Sequence, residues 1–171
     1  MIQDMHIAGW HYANPSAKAL IHQLKYNGVW MAGEVLVSAW NRYTGSPLPA
    51  FDSPVQLYWV YVPTTPKRLR ERGYHQAEVL ARAMARVWGG RVRAAFIRRE
   101  QPTQVGLHRQ ERIQQATYGY LLRRSFKVTD GAVYVIVDDT KTSGATLSRC
   151  RALLLERGAQ RIYTLSLLLD E

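Results

Sequence analysis

The chain has a single cysteine, Cys150, so it can form no intramolecular disulfide and no four-cysteine zinc site from its own residues. Its histidines, His6, His11, His22, His75 and His108, fall at no close metal-ligand spacing, and HExxH is missing. No uninterrupted apolar run approaches the roughly 18 residues of a membrane span, so no membrane insertion is expected. The opening MIQDMHIAGWHY lacks a basic segment followed by a long apolar stretch, so no signal peptide is expected. A lone thiol and no leader accord with a cytoplasmic setting. Two nucleotide motifs, GxxxxGK[ST] and GxGxxG, are absent, which excludes a Walker loop and a dinucleotide fingerprint.

Acidic residues are also scarce, 13 against 23 Lys and Arg, for a net charge of +10 over 171 residues. The imbalance is local. Residues 1–66 hold three basic and three acidic residues, residues 67–127 hold fifteen and four, and residues 128–171 hold five and six. One central, arginine-rich region therefore carries the excess. It points to a polyanionic partner, either nucleic acid or a phosphorylated small molecule. Apolar residues make up 47% and charged residues 21%, values that support an ordinary folded domain.

Hydrophobic periodicity predicts a helix over 15–26, opened by Pro15 and Ser16, and another over 30–40. Strands are predicted over 55–62, 91–97, 118–122, 133–137 and 161–169, with helices over 76–88 and 145–157. The stretch 63–76 reads as a basic loop and 98–117 as a long polar loop. Cys150 falls on the apolar stripe of the 145–157 helix and reads as core. The order is that of an α/β fold, an open and mostly parallel sheet with helices on both faces. A single domain is expected over 1–171, with residues 1–54 as its helical N-terminal portion.

The densest chemical signal is VYVIVDDTKTSGATL, residues 133–147. Its apolar strand ends in Asp138 and Asp139, where ligands bind in open α/β sheets. A small, polar turn then leads into a helix, and free amides at a helix N-terminus favour an anion. Thr140, Thr142, Ser143 and Thr146 add hydroxyl groups, and Gly144 permits close backbone approach. A phosphate in the turn with a carboxylate on nearby hydroxyls describes a sugar-phosphate pocket. Two solvated aspartates before a capped helix would give the same pattern.

A strand ending in two acids before a Thr/Ser/Gly loop resembles the ribose-phosphate motif of type I phosphoribosyltransferases. Three further stretches, 12–28, 62–81 and 102–112, make the chain similar to the ComF/GntX-like (competence protein F) branch of that superfamily. The resemblance implies that Asp138 and Asp139 bind ribose hydroxyls of phosphoribosyl pyrophosphate and assist Mg²⁺. It places the 5-phosphate on Thr140, Lys141, Thr142, Ser143, Gly144, Ala145 and Thr146. It places pyrophosphate near Thr64, Thr65, Lys67 and Arg68, with Arg72 among the catalytic residues. The segment 99–112, with Thr103, Gln104, Leu107, Arg109 and Arg112, corresponds to the family's loop over the site. Departures are His75 for the Asn of RGFNQ, Thr140 and Ser143 within DDVxTTG, Gln115 for an expected Asn, and no cysteines for the zinc finger that often precedes this domain.

Two functional classes follow. The first is a phosphoribosyltransferase-like protein, a glycosyltransferase if it turns over, that acts in DNA uptake during natural transformation. The second is a non-catalytic single-stranded-DNA-binding or adaptor protein whose sugar-phosphate pocket is vestigial or regulatory. In that case Arg98, Arg99 and Arg109 contact DNA, and competence-machinery proteins are partners. Trp10, Trp30 and Trp40 read as core or as stacking surfaces for an acceptor base.

Overall fold

The computed structural model describes residues 5–11, 14–51, 54–99 and 119–169. Its strands are β1 (His6–His11), β2 (Leu57–Tyr61), β3 (Arg91–Arg93), β4 (Phe96–Arg98), β5 (Tyr120–Leu122), β6 (Val133–Lys141) and β7 (Arg161–Leu169). Its helices are α1 (Pro15–Tyr26), α2 (Met31–Thr44), α3 (Pro66–Arg72), α4 (Gln76–Trp88) and α5 (Ala145–Glu156). Five strands make one sheet in the order β1-β7-β6-β2-β3, every pair parallel. β4 and β5 pair antiparallel as a separate ribbon. This is the expected α/β architecture, with helices on both faces.

The central strands read as unbroken apolar runs because both faces are covered. Side chains alternate along them. Val133, Val135 and Val137 join Trp59, Tyr61, Leu165 and Leu167 beneath α1, α2 and α4. Tyr134 and Ile136 turn the other way and join Tyr58, Val60 and Ile162 beneath α5, the ribbon and Phe126. Each fully buried aliphatic side chain contributes about 1.5–3 kcal/mol. Cys150 is fully buried in the second layer, as its place on the helix stripe predicts. Trp40 is core and packs edge-on to Trp88, whereas Trp30 is 53% exposed at the turn between α1 and α2.

The structure corrects four expectations. Residues 1–54 are not helical throughout, because β1 forms the sheet edge beside β7. The basic stretch after β2 is not all loop: α3 occupies it, with the Thr65 hydroxyl accepting from the Arg68 N–H at 3.2 Å, Pro66 in the first turn and Gly73 left-handed at φ 80°. The strand expected over 91–97 breaks into β3 and β4, which belong to different sheets. Finally, β6 runs past Val137 to Lys141, because Thr140 and Lys141 still pair with Leu168 and Leu169. Among the described residues no helix is long and apolar enough to cross a membrane. The loop expected over 99–112 lies outside the described residues apart from Arg99.

Candidate functional site

β2 and β6 lie side by side, yet their chains leave in opposite directions. From β2 the chain passes through α4 to β3 on one flank, and from β6 it passes through α5 to β7 on the other. That makes the carboxyl ends of β2 and β6 the switch point of the sheet, where a crevice opens. The two ends are level: Tyr61 is paired with Val137, and the Val62 N–H donates to the Val137 carbonyl at 2.9 Å.

A cleft of about 180 Å³ opens there. Asp138 and Asp139 enter it from β6, Thr146 from the first turn of α5, and Pro63 and Thr64 from the loop after β2. Arg68 and Arg72 enter from α3, and their four-residue spacing puts both on one helix face. Arg98 and Tyr120 come from the ribbon, and Lys25 and Tyr26 from the end of α1. The lining carries four cationic side chains, Lys25, Arg68, Arg72 and Arg98, against two carboxylates. Guanidinium groups on this scale suit phosphate oxygens, which they can bind in pairs.

The acids are not solvated ornaments. Burial raises the Asp138 carboxyl well above the usual carboxylate range, and the negative charge of Asp139 adds to the rise. The Asp139 N–H, donating to Asp138 Oδ1 at 2.9 Å, opposes it, as do the charges of Lys25 and Arg98. Asp139 is paired through Oδ2 with Lys25 Nζ at 3.1 Å, and Lys25 also donates to the Thr140 hydroxyl at 3.0 Å. Burial likewise raises the Tyr120 phenol, and the Arg98 guanidinium, 5.1 Å from the centre of its ring, opposes that shift.

The turn after β6 is shorter than its sequence implies, because Thr140 and Lys141 are still strand and Ala145 already begins α5. Gly144 is the N-cap at φ 73°, a left-handed conformation natural to glycine, and it has no side chain with which to cap the helix. Ser143 Oγ accepts from the Ala145 N–H at 3.5 Å, the long limit of such a bond. The first amides of α5 are thus left largely to an outside acceptor.

Of the residues singled out from sequence, the cleft brings together Asp138, Asp139, Thr64, Arg68, Arg72 and Thr146. Thr65 instead caps α3, and Thr140 receives Lys25. Lys67, Lys141, Thr142, Ser143, Gly144 and Ala145 flank the cleft without lining it. His75 stands at the N-cap of α4 and accepts from the Thr64 N–H through Nδ1 at 3.2 Å, so it fixes the loop after β2. Its imidazole is held below the usual histidine range by burial, partly offset by Glu78, with Arg123 lowering it further. Sequence reasoning gave no site role to Lys25, Tyr26, Gln76 or Tyr120, and it assigned Arg98 to DNA. Lys25 and Tyr26 sit in the stretch 12–28, where a charge at the end of an apolar-striped helix is the available signal.

The oxygen-rich donors Asp138, Asp139, Thr64 and Thr146 suit a hard cation such as Mg²⁺. Among the described residues no three acidic, histidine or cysteine side chains gather into a metal cage. Such an ion would therefore be held largely by the phosphates of a ligand, with Asp138 and Asp139 beside it.

No family model matches the chain. It is 30% identical to the DNA utilization protein YhgH of Salmonella typhi over 157 residues, 86% of this chain and 65% of that protein. It is 26% identical to the competence protein ComFC of Streptococcus pneumoniae over 154 residues, 90% of this chain and 64% of that protein. The chain thus spans just under two thirds of the length of these relatives. Among solved structures it resembles the allosteric regulatory enzyme of purine biosynthesis, at 18% identity and TM-score 0.45, over 85% of this chain and 26% of that one. The glutamine phosphoribosylpyrophosphate amidotransferase from B. subtilis, complexed with ADP and GMP, gives the same identity and TM-score over 84% and 26%. Over most of its length this chain is similar in sequence to the competence protein ComFC and the DNA utilization protein YhgH, and it is built on an open, parallel α/β sheet with helices on both faces.

Proposed function

We propose that the cleft binds phosphoribosyl pyrophosphate, or another ribose phosphate, and that this binding serves DNA uptake on the cytoplasmic side. The observation that carries the reading is the convergence of Asp138, Asp139 and Thr146 on one side of the cleft with Thr64, Arg68 and Arg72 on the other, at the switch point of the sheet. The names of the relatives, competence protein and DNA utilization protein, support the process.

In this reading the carboxylates of Asp138 and Asp139 accept from ribose hydroxyls. The uncapped start of α5, with Thr146, receives the 5-phosphate. Arg68, Arg72 and the Thr64 loop take the pyrophosphate. Arg98, braced on Tyr120, adds charge from the ribbon side. Mg²⁺, when bound, would neutralise charge on the pyrophosphate oxygens. No protein nucleophile is required for transfer at the anomeric carbon: positioning and cationic neutralisation of the leaving group are what these residues offer. Calorimetry with phosphoribosyl pyrophosphate tests the reading. Saturable binding that disappears when Asp138 and Asp139 are both changed to Ala supports it, and equal binding by that double variant refutes it.

A second reading is favoured by a different surface. A groove of about 720 Å³ lies beside the ribbon, lined by Arg99, Arg123, Arg124 and Arg157 against Glu156, over Ile97, Leu121 and Leu153. Single-stranded DNA following this groove accounts for the basic excess, with competence-machinery proteins as further partners. Changing Arg123 and Arg124 to Ala would then weaken DNA binding and flatten its salt dependence by roughly one unit of slope per lost phosphate contact. Unchanged DNA affinity and slope would remove this reading.

A further inference from the structure

The acidic pair at the end of β6 already has a resident cation. Lys25 Nζ stands 3.1 Å from Asp139 Oδ2 and 3.0 Å from Thr140 Oγ1, so two of the three ammonium donors are committed to the strand that bears the acids. Neither partner is freely solvated: the side chains of Lys25 and Asp139 are 24% and 15% exposed.

The placement of Lys25 is built into the fold. Ile21 and Leu24 bury α1 in the core, and the Tyr74 phenol donates to the Leu24 carbonyl at 2.6 Å. Tyr74 itself follows Arg72 and Gly73, so one hydrogen bond ties the end of α1 to the segment that carries the cleft arginine. Arg72 in turn lies over the ring of Tyr26, 5.2 Å from its centre. The lysine thus arrives at Asp139 on a helix held from two directions.

We propose that Lys25 is a positioning residue that acts as the fixed counter-cation of Asp139, holding its carboxylate for the sugar and keeping a free divalent ion off it. The inference rests on the ribose-phosphate reading of the cleft. Mg²⁺ requires carboxylate oxygen at about 2.0–2.1 Å, so an ion on Oδ2 would stand within roughly 5 Å of the ammonium charge. The like charges repel, and the neighbouring Arg98 deepens the positive field. Metal therefore enters the cleft with the phosphates of its ligand and does not preload on the acids. Removing the ammonium takes away the cation paired with Asp139 and leaves the two adjacent carboxylates, with Arg98 as the remaining balancing charge beside Asp138, more open to a hard cation.

The test is calorimetric titration of the full chain with MgCl₂ alone, on the unmodified protein and on Lys25→Met, Lys25→Gln and Lys25→Arg. The unmodified protein and Lys25→Arg show no saturable Mg²⁺ binding, whereas Lys25→Met and Lys25→Gln gain it. Loss of a charge-assisted contact also lowers affinity for metal-free phosphoribosyl pyrophosphate by about 10–100-fold in Lys25→Met, a loss that Mg²⁺ partly restores. Lys25→Gln keeps a donor for Thr140 without the charge, so it decides the matter if Lys25→Met does not fold. The inference is overturned if the unmodified protein binds Mg²⁺ alone as tightly as the neutral variants. It is equally overturned if those variants gain no Mg²⁺ affinity. A protein that fails to bind the sugar ligand at all contradicts the proposed function, and the metal titration still decides the role of Lys25.

Discussion

Asp138→Asn separates what the acidic pair does for the fold from what it does for a ligand. Burial of the Asp138 carboxyl and the adjacent charge of Asp139 together outweigh the Asp139 N–H, Lys25 and Arg98, so the native state holds the Asp138 proton more tightly than the unfolded chain does. The unmodified protein therefore loses stability as pH rises from the ordinary carboxylate range through the raised native value. An amide of the same shape keeps the acceptor for the Asp139 N–H and carries no charge, so the penalty vanishes. Replacing a strained functional group in this way stabilises proteins by about 0.5–2 kcal/mol. At this chain length 1 kcal/mol corresponds to about 2–4 °C in Tm. Thermal unfolding at about pH 8 is expected to give the variant the higher Tm, with the gap closing near about pH 4, where both side chains are neutral. The same variant is expected to lose about 10–100-fold in affinity for phosphoribosyl pyrophosphate, the loss of a hydrogen bond to a charged group. A variant less stable than the unmodified protein at high pH, or a gap that ignores pH, would show that Asp138 is not a strained group.

Two further perturbations probe the scaffold. His75 accepts from the Thr64 N–H only when neutral, and its native value is depressed below 6.5, chiefly by burial, with Glu78 opposing and Arg123 assisting and the Tyr61 ring tilted against it at 5.5 Å between centres. The stability from its neutral form is present above pH 6.5 and is lost as pH falls through the native value; His75→Asn, which retains an acceptor, is expected to flatten that acid limb in urea unfolding. Gly90 sits at φ +89°, and a Cβ there would lie 2.8 Å from the Leu57 carbonyl oxygen, so Gly90→Ala is expected to cost about 1–3 kcal/mol in the same assay.

The parts of this molecule that were legible from residues alone are those in which one physical signal dominates. The run 133–137 is apolar at every position because helices cover both sides of β6, and the stripe Ala77, Leu80, Ala81 and Met84 marks the buried face of α4. Asp138 and Asp139 stood out because charge at the end of a buried strand needs a reason. The hidden parts depend on long-range partners. β1 is a strand because β7 offers it an edge, and its Gly9 permits close packing: a Cβ there would stand 3.2 Å from the Trp40 ring. α3 buries none of its residues, so it shows no stripe, although Thr65-Pro66 and Gly73 are its start and stop signals. Lys25 lies 114 residues before Asp139 in the chain, and only folding brings its ammonium to that carboxylate. The charge of Arg98 is visible in the sequence but its direction is not; the ribbon turns it over Tyr120 into the cleft.

The most direct test of the central claim is a crystal structure of this chain with phosphoribosyl pyrophosphate and Mg²⁺. The account predicts ribose hydroxyls on the carboxylates of Asp138 and Asp139, the 5-phosphate at the first amides of α5 beside Thr146, and the pyrophosphate facing Arg68 and Arg72. A ligand seated elsewhere, with the two carboxylates making no contact to the sugar, would contradict it.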